Sequence, residues 1–496
     1  MTKQVLQEMR VNKKSFAFIA SVLALGAVVL RGQSTNLSYR PLRLRHGKPF
    51  PALQAGLLKM REKSGKEAAR KMREHAWDLF QGLTDGGPIW ETWYTKCDVH
   101  LDKCNSATGA QQSGARKMLR SFEVPMQSIQ TLIDLQLDGP QQTSGALKSK
   151  SFSDILRGLA IDFRAHPQFA SVLFNQEAAG HILGNCLYPR TADANGETAK
   201  NCPPLPTAPG GIAPFDRGAV VLKIVWGRMI VDKNLVGHLW AWDPQVWNQI
   251  QKPNDDIYGF YKPSVKIAVD SKMACENRDY QDDENVPISC FEAFRLEQPD
   301  IDALRAYPRN LAIIENSAVV PGNYLVLVGV HITTKEIPDW VWATFWWSNH
   351  GVSDSRAAGR PKRIDPKWSH FLMDTTLSGM TPFEKDGGPK ICFNPFLETA
   401  ITNGAVSNCM QCHGKAAFNP KSKIDAYDFG ILGRDGRTLA SGNDGVHTDL
   451  IWSIANGQNP RSRALALLFE QQLQELQLEE LRLAKPEAVA KPNPNH

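Results

Sequence analysis

Two cysteines three positions apart with a histidine directly behind them, Cys409-Met410-Gln411-Cys412-His413, constrain this chain more than any other stretch. That spacing is the attachment signature for a c-type haem. Each thiol adds to one vinyl group of the porphyrin, and the adjacent imidazole reaches under the ring to bind iron. A fold built around such a segment must hold three side chains against one rigid plate. With 9 Cys and 12 His in 496 residues, chance supplies roughly 0.004 such patterns per chain. A structural zinc is the competing use of the same side chains, drawing on Cys392 and His447 to complete four ligands. It lacks the second close-spaced ligand pair usual at such sites, so haem c is favoured.

Cys409, Cys412 and His413 resemble the attachment site of a monohaem c-type cytochrome. The longer run Asn394-Pro395-Phe396-Leu397-Glu398, then Asn408 to His413, with Trp340-Val341-Trp342-Ala343-Thr344-Phe345 upstream, is similar to large, mostly uncharacterised bacterial cytochrome c family proteins. The resemblance implies one covalent haem on those three residues, and it implies no substrate.

At 496 residues the chain has room for two or three domains with substantial cores. A cytochrome c domain takes only about 80–120 residues, so most of the protein is something else. The 57 basic and 51 acidic residues leave a mild +6, without a basic patch of the kind that binds nucleic acid. No Ser/His/Asp triad order, phosphate loop, HExxH or dinucleotide fingerprint is present, which counts against familiar hydrolase and nicotinamide chemistry.

Taken in order, residues 1–31 carry Lys3, Arg10, Lys13 and Lys14 ahead of an apolar run from Phe16 to Leu30. This reads as a secretory signal, cleaved or retained as an N-terminal membrane anchor. The run is short for a bilayer span, which takes about 20 residues. Export agrees with haem attachment outside the cytoplasmic membrane, in the periplasm. Residues 32–210 read as mainly helical, with a helical stripe at Ala69, Met72, Ala76 and Phe80. Residues 211–350 turn to strands: Ala219 to Trp226, Tyr324 to Ile332 and Trp340 to Trp347. Residues 351–460 hold the haem motif, with a helix expected from Asn394 to Val406 and a short one from Thr448 to Ala455, capped by Thr448. Residues 461–496 form an amphipathic helix and a Pro/Asn-rich disordered tail. The expected class is α+β: a helical N-terminal region, an antiparallel β-sandwich-like middle domain and a small, mostly α-helical cytochrome c-like haem segment.

Cysteine usage supports an oxidising compartment. Setting aside the haem pair, Cys97 with Cys104, Cys186 with Cys202 and Cys275 with Cys290 are expected as three local pairs, although spacing does not prove connectivity, and Cys392 is left over as a buried free thiol rather than a catalytic one.

The open question is the second axial ligand. Small electron-transfer cytochromes often use a downstream Met, which raises the potential, yet no Met follows Met410. His447 is the downstream candidate; Met373, Met380, His331, His350 and His370 are upstream alternatives, and a five-coordinate iron is another. Two protein ligands imply an electron-transfer module that exchanges electrons with a periplasmic or membrane-bound redox protein. An open iron implies a haem-dependent oxidoreductase, and the Trp clusters around Trp240 and Trp340 suit either core packing or an active site. A third reading makes the β-rich region a binding module with the haem as redox reporter. Glu336 and Asp339 are loop carboxylates to which the sequence assigns no role.

Overall fold

The structure, a computed structural model, describes residues 38–62, 66–99, 119, 168–187, 210–242, 261–305, 319–377, 392–398, 408–414, 416–418 and 446–454. The leader expected at 1–31, the tail at 461–496, Met380 and the partner cysteines Cys104 and Cys202 lie outside these. Among the described residues no helix is long and apolar enough to cross a membrane. The class is α+β.

The strands are β1 (Tyr94–Thr95), β2 (Gln168–Phe174), β3 (Gly210–Gly211), β4 (Val220–Val231), β5 (Val236–Trp242), β6 (Tyr261–Ala268), β7 (Asn285–Pro287), β8 (Ala293–Arg295), β9 (Tyr324–Thr334), β10 (Val341–Trp347), β11 (Phe371–Leu377), β12 (Ala417–Phe418) and β13 (Val446–His447). Ten of them make one sheet along the path β11-β10-β9-β4-β5-β6-β7, with β2 on β4, β1 on β2 and β8 on β9. The pairing is antiparallel except between β6 and β7, which run parallel and make the sheet mixed. A smaller sheet joins β12, β13 and β3.

Both faces of the central strands are covered. This explains why β10 reads VWATFWW without alternation and is buried at every position. One face packs against helix α1 (Lys66–Thr84). Its apolar stripe buries Met72, Ala76, Trp77 and Phe80, and Phe345 of β10 stacks on Phe80 with ring centroids 4.3 Å apart. The hairpin between β9 and β10 is tied back to this layer by Glu336. Its fully buried carboxylate accepts from Ala52 N–H at 2.7 Å and Thr334 Oγ1 at 2.7 Å, and lies 2.9 Å from His75 Nε2. Burial works against ionisation, but these partners outweigh it and hold the carboxyl below its usual range. Glu336 is thus part of the scaffold.

The opposite face carries a different set. Cross-strand register puts Lys223 of β4 beside His331 of β9, and His331 beside Thr344 of β10. Directly opposed residues share a face, so Lys223, His331, Thr333, Trp342 and Thr344 line one surface. Against it packs an apolar cluster of Val221, Trp340, Trp342, Cys392, Cys409, Met410, Val446 and Ile454. The chain that delivers these residues is pinned by Asn394, at the head of helix α2 (Pro395–Glu398). Its buried side-chain amide donates to Thr344 Oγ1 at 2.9 Å and to the Phe345 carbonyl at 2.8 Å. Beyond Glu398 the expected helix to Val406 lies outside the described residues.

The short helix expected from Thr448 does not start there. Asp449 and Leu450 have positive φ, +48° and +69°, which is uncommon for residues other than glycine. Thr448 does not cap: its hydroxyl lies 2.9 Å from the carbonyl oxygens of Ala416 and Ile451. A turn forms instead because Asp449 is drawn inward by Lys335, whose ammonium reaches both carboxylate oxygens at 2.6 and 2.7 Å. Phe215 N–H supplies a third contact at 2.9 Å.

The cysteine pairing follows local spacing where it is described. Cys275 and Cys290 form a disulfide. Cys97 and Cys186 each take part in a separate disulfide, while Cys392, Cys409 and Cys412 are free.

Candidate functional site

Helix α3 (Cys409–His413) is one short turn of chain laid on the polar face of the sheet. Three-residue spacing on this turn brings the two thiols to one side, with His413 directly after the second. Gly414 N–H donates to the Met410 carbonyl at 2.9 Å and Ala416 N–H to the His413 carbonyl at 3.0 Å, closing the turn. The Trp452 indole N–H donates to the Cys412 carbonyl at 3.1 Å, tying the motif to the segment after β13.

The left-handed turn at Asp449-Leu450 has a chemical result. It presents the Leu450 carbonyl to His413, with 2.7 Å between that oxygen and Nδ1. A carbonyl oxygen only accepts, so the Nδ1 proton is on the ring and Nε2 is left as a bare base. Such a bond sets the tautomer and orientation of metal-binding imidazoles. Burial, the largest cause, pulls the His413 pKa down to about 4, and the positive charge of Lys223 adds to the lowering. The ring is neutral at physiological pH, the form that binds a metal.

Two aromatic neighbours face that ring. Trp342 lies 4.3 Å from it between centroids, tilted by 48°. His331 lies 5.7 Å away with the two planes only 16° apart. His331 is buried, and neither of its ring nitrogens has a hydrogen-bond partner. Burial holds its pKa well below the ordinary histidine value. An unsatisfied buried donor or acceptor costs about 1–3 kcal/mol, and here both ring nitrogens are in that condition.

The thiols of Cys412 and Cys392 are held protonated. Burial pushes Cys412 up to about 12. Cys392 lies with its sulfur 3.5 Å from that of Cys409; that contact, and then burial, raise it well above the usual thiol range. Nearby, burial lifts the Glu398 carboxyl to about 8. A zinc site would need three or more of Cys392, Cys409, Cys412, His413 and His447 to converge. Among the described residues only Cys275, Cys290 and His370 bring three such ligand atoms within 4.8 Å of one another, and two of those are joined as a disulfide.

The other candidate ligands take separate places. His447 is half-buried in β13, paired across to Ala417 and Gly211, and among the described residues its ring makes no hydrogen bond. Met373 of β11 opposes Phe345 and so lies on the α1 face. His350 Nε2 sits 3.1 Å from Asp282 Oδ1. His370 Nε2 is 3.1 Å from the Glu276 carbonyl, beside the Cys275–Cys290 disulfide. Of the upstream histidines, His331 is the one that meets His413. Sequence reasoning names it only among alternatives, although its place in an otherwise apolar strand is a visible signal. The Leu450 carbonyl, Lys223 and Glu398 carry no such signal.

The residues present fit a covalently attached haem. Both motif cysteines have free sulfurs, His413 is oriented with one nitrogen bare, and a second buried imidazole without partners lies beside it. No protein-family model, curated protein or solved structure matches the chain.

Proposed function

We propose that the chain carries one haem c, attached through Cys409 and Cys412 with His413 on the iron, and that it passes single electrons between redox partners. The observation that supports this most is the His413 Nδ1 bond to the Leu450 carbonyl at 2.7 Å, which keeps the proton on Nδ1 and leaves Nε2 unprotonated and available to a metal. When bound, the haem supplies a one-electron couple. The chain's part is to attach the porphyrin by two thioethers, hold the His413 ring through Leu450, and exclude water with Trp342, Trp340 and Met410. A largely buried site lowers the solvent rearrangement that accompanies each electron transfer.

On this reading residues 351–460 form a small, mostly α-helical cytochrome c-like segment. The larger and smaller sheets serve as two layers of a sandwich-like support, with the apolar cluster between them. The protein acts in the periplasm, its N-terminal segment either removed or kept as a membrane anchor, and the partner is a periplasmic or membrane-bound redox protein.

The test is visible absorption of the full chain produced with haem-maturation machinery, ferric and dithionite-reduced, with and without carbon monoxide. Haem that stays on the denatured polypeptide, and is lost in Cys409→Ala/Cys412→Ala, supports attachment. A low-spin reduced spectrum indifferent to carbon monoxide supports electron transfer. A high-spin spectrum that shifts with carbon monoxide favours the haem-dependent oxidoreductase instead.

A further inference from the structure

We propose that His331 is the second axial ligand, on the opposite side of the iron from His413. This rests on the haem reading above and goes beyond it, because it makes the centre bis-histidine and closed.

His331 is buried, it sits on the face of β9 that receives the motif, and both of its ring nitrogens lack a partner. Buried polar groups are almost always satisfied, and a bound metal is one way in which a buried imidazole is. The neighbouring ring says where such a metal would sit. His413 lies 5.7 Å away, centroid to centroid, with the planes within 16°. Two imidazoles on opposite sides of one metal ion, each at about 2.0–2.1 Å, bring their centroids to roughly 6 Å. The anchoring is also suitable. β9 is paired on both sides, with His331 in register with Lys223 of β4 and with Thr344 of β10. His447, in the smaller sheet, makes no ring contact with His413 among the described residues.

Two nitrogen ligands fill both axial positions and leave no place for a substrate, which favours the electron-transfer reading over the oxidoreductase. They also predict a potential below that of a His/Met centre, since axial Met raises it.

The experiment uses the full chain with attached haem. Wild type is expected to give a low-spin electron paramagnetic resonance signal of two-nitrogen axial ligation, with a ferrous form inert to carbon monoxide. His331→Ala is expected to turn high-spin and bind carbon monoxide, with added imidazole restoring the low-spin spectrum. His331→Met is expected to stay low-spin with a raised potential. A high-spin wild type overturns the assignment, as does a His331→Ala protein that stays low-spin and inert. So does loss of the low-spin form in His447→Ala while His331→Ala keeps it. If the variants do not fold, the wild-type signal alone decides whether both axial donors are nitrogen. Failure of wild type to retain any covalent haem overturns the haem reading itself, and is thereby distinguished from failure of His331 alone.

Discussion

The Lys335 ammonium holds both carboxylate oxygens of Asp449, at 2.6 and 2.7 Å, across 114 positions of sequence. It joins the end of the strand that carries His331 to the turn that orients His413. Burial lowers the Lys335 pKa and raises that of Asp449. Each charge offsets part of the other's cost of burial.

Removing one partner strands a charge. Lys335→Met is expected to cost about 3–5 kcal/mol, the penalty for breaking a buried pair, in urea unfolding followed by circular dichroism. Lys335→Met/Asp449→Leu is expected to recover most of that loss. Equal destabilisation in the single and double variants would show that the ion pair is not coupled.

Asn394 is the second junction. Its buried amide donates to Thr344 Oγ1 and the Phe345 carbonyl, and its Oδ1 accepts from Phe396 N–H at 3.0 Å. Asn394→Ala leaves those groups unpaired, so a loss of about 1–3 kcal/mol is expected. Hydrogen exchange should quicken first at residues 392–398 and 408–414. Unchanged exchange there would refute the pinning role.

The Cys275–Cys290 disulfide closes a loop with a sequence separation of 15. Closing a loop of this length stabilises by about 3 kcal/mol in the chain-entropy picture. Cys275→Ser/Cys290→Ser is expected to lose about that much in denaturant unfolding while the spectrum of the proposed haem stays intact. A changed spectrum would place this corner against the proposed haem.

Stability should depend on pH in two opposed ways. Burial lowers the His370 pKa. Below about pH 6.5 the unfolded chain takes up a proton that folded His370 refuses, so stability present above that pH is lost as the pH falls. Glu398 is reversed. Its folded value of about 8 exceeds the unfolded value near 4.3, so its contribution is complete below about pH 4.3 and lost as the pH rises through 8. Glu398→Gln should therefore flatten the decline between about pH 6.5 and 8 in urea titrations, and an unaltered decline would exclude Glu398 as its source.

What the sequence determined by itself is local chemistry and local periodicity. The Cys409, Cys412 and His413 spacing is a pattern contained within five consecutive residues, so no partner from elsewhere is needed to recognise it. The stripe of α1, the apolar runs of β4, β9 and β10 and the Cys275–Cys290 pair are legible for the same reason. Tertiary structure decided what lies opposite. Strand register puts Lys223, His331 and Thr344 in one row, and register depends on which strands pair, which a period-two pattern does not specify. The turn at Asp449-Leu450 overrides a helical pattern because Lys335, far off in sequence, pulls Asp449 inward. The resulting carbonyl orients His413 toward the face that holds His331. The motif could be read from its letters, whereas the second histidine needed the sheet.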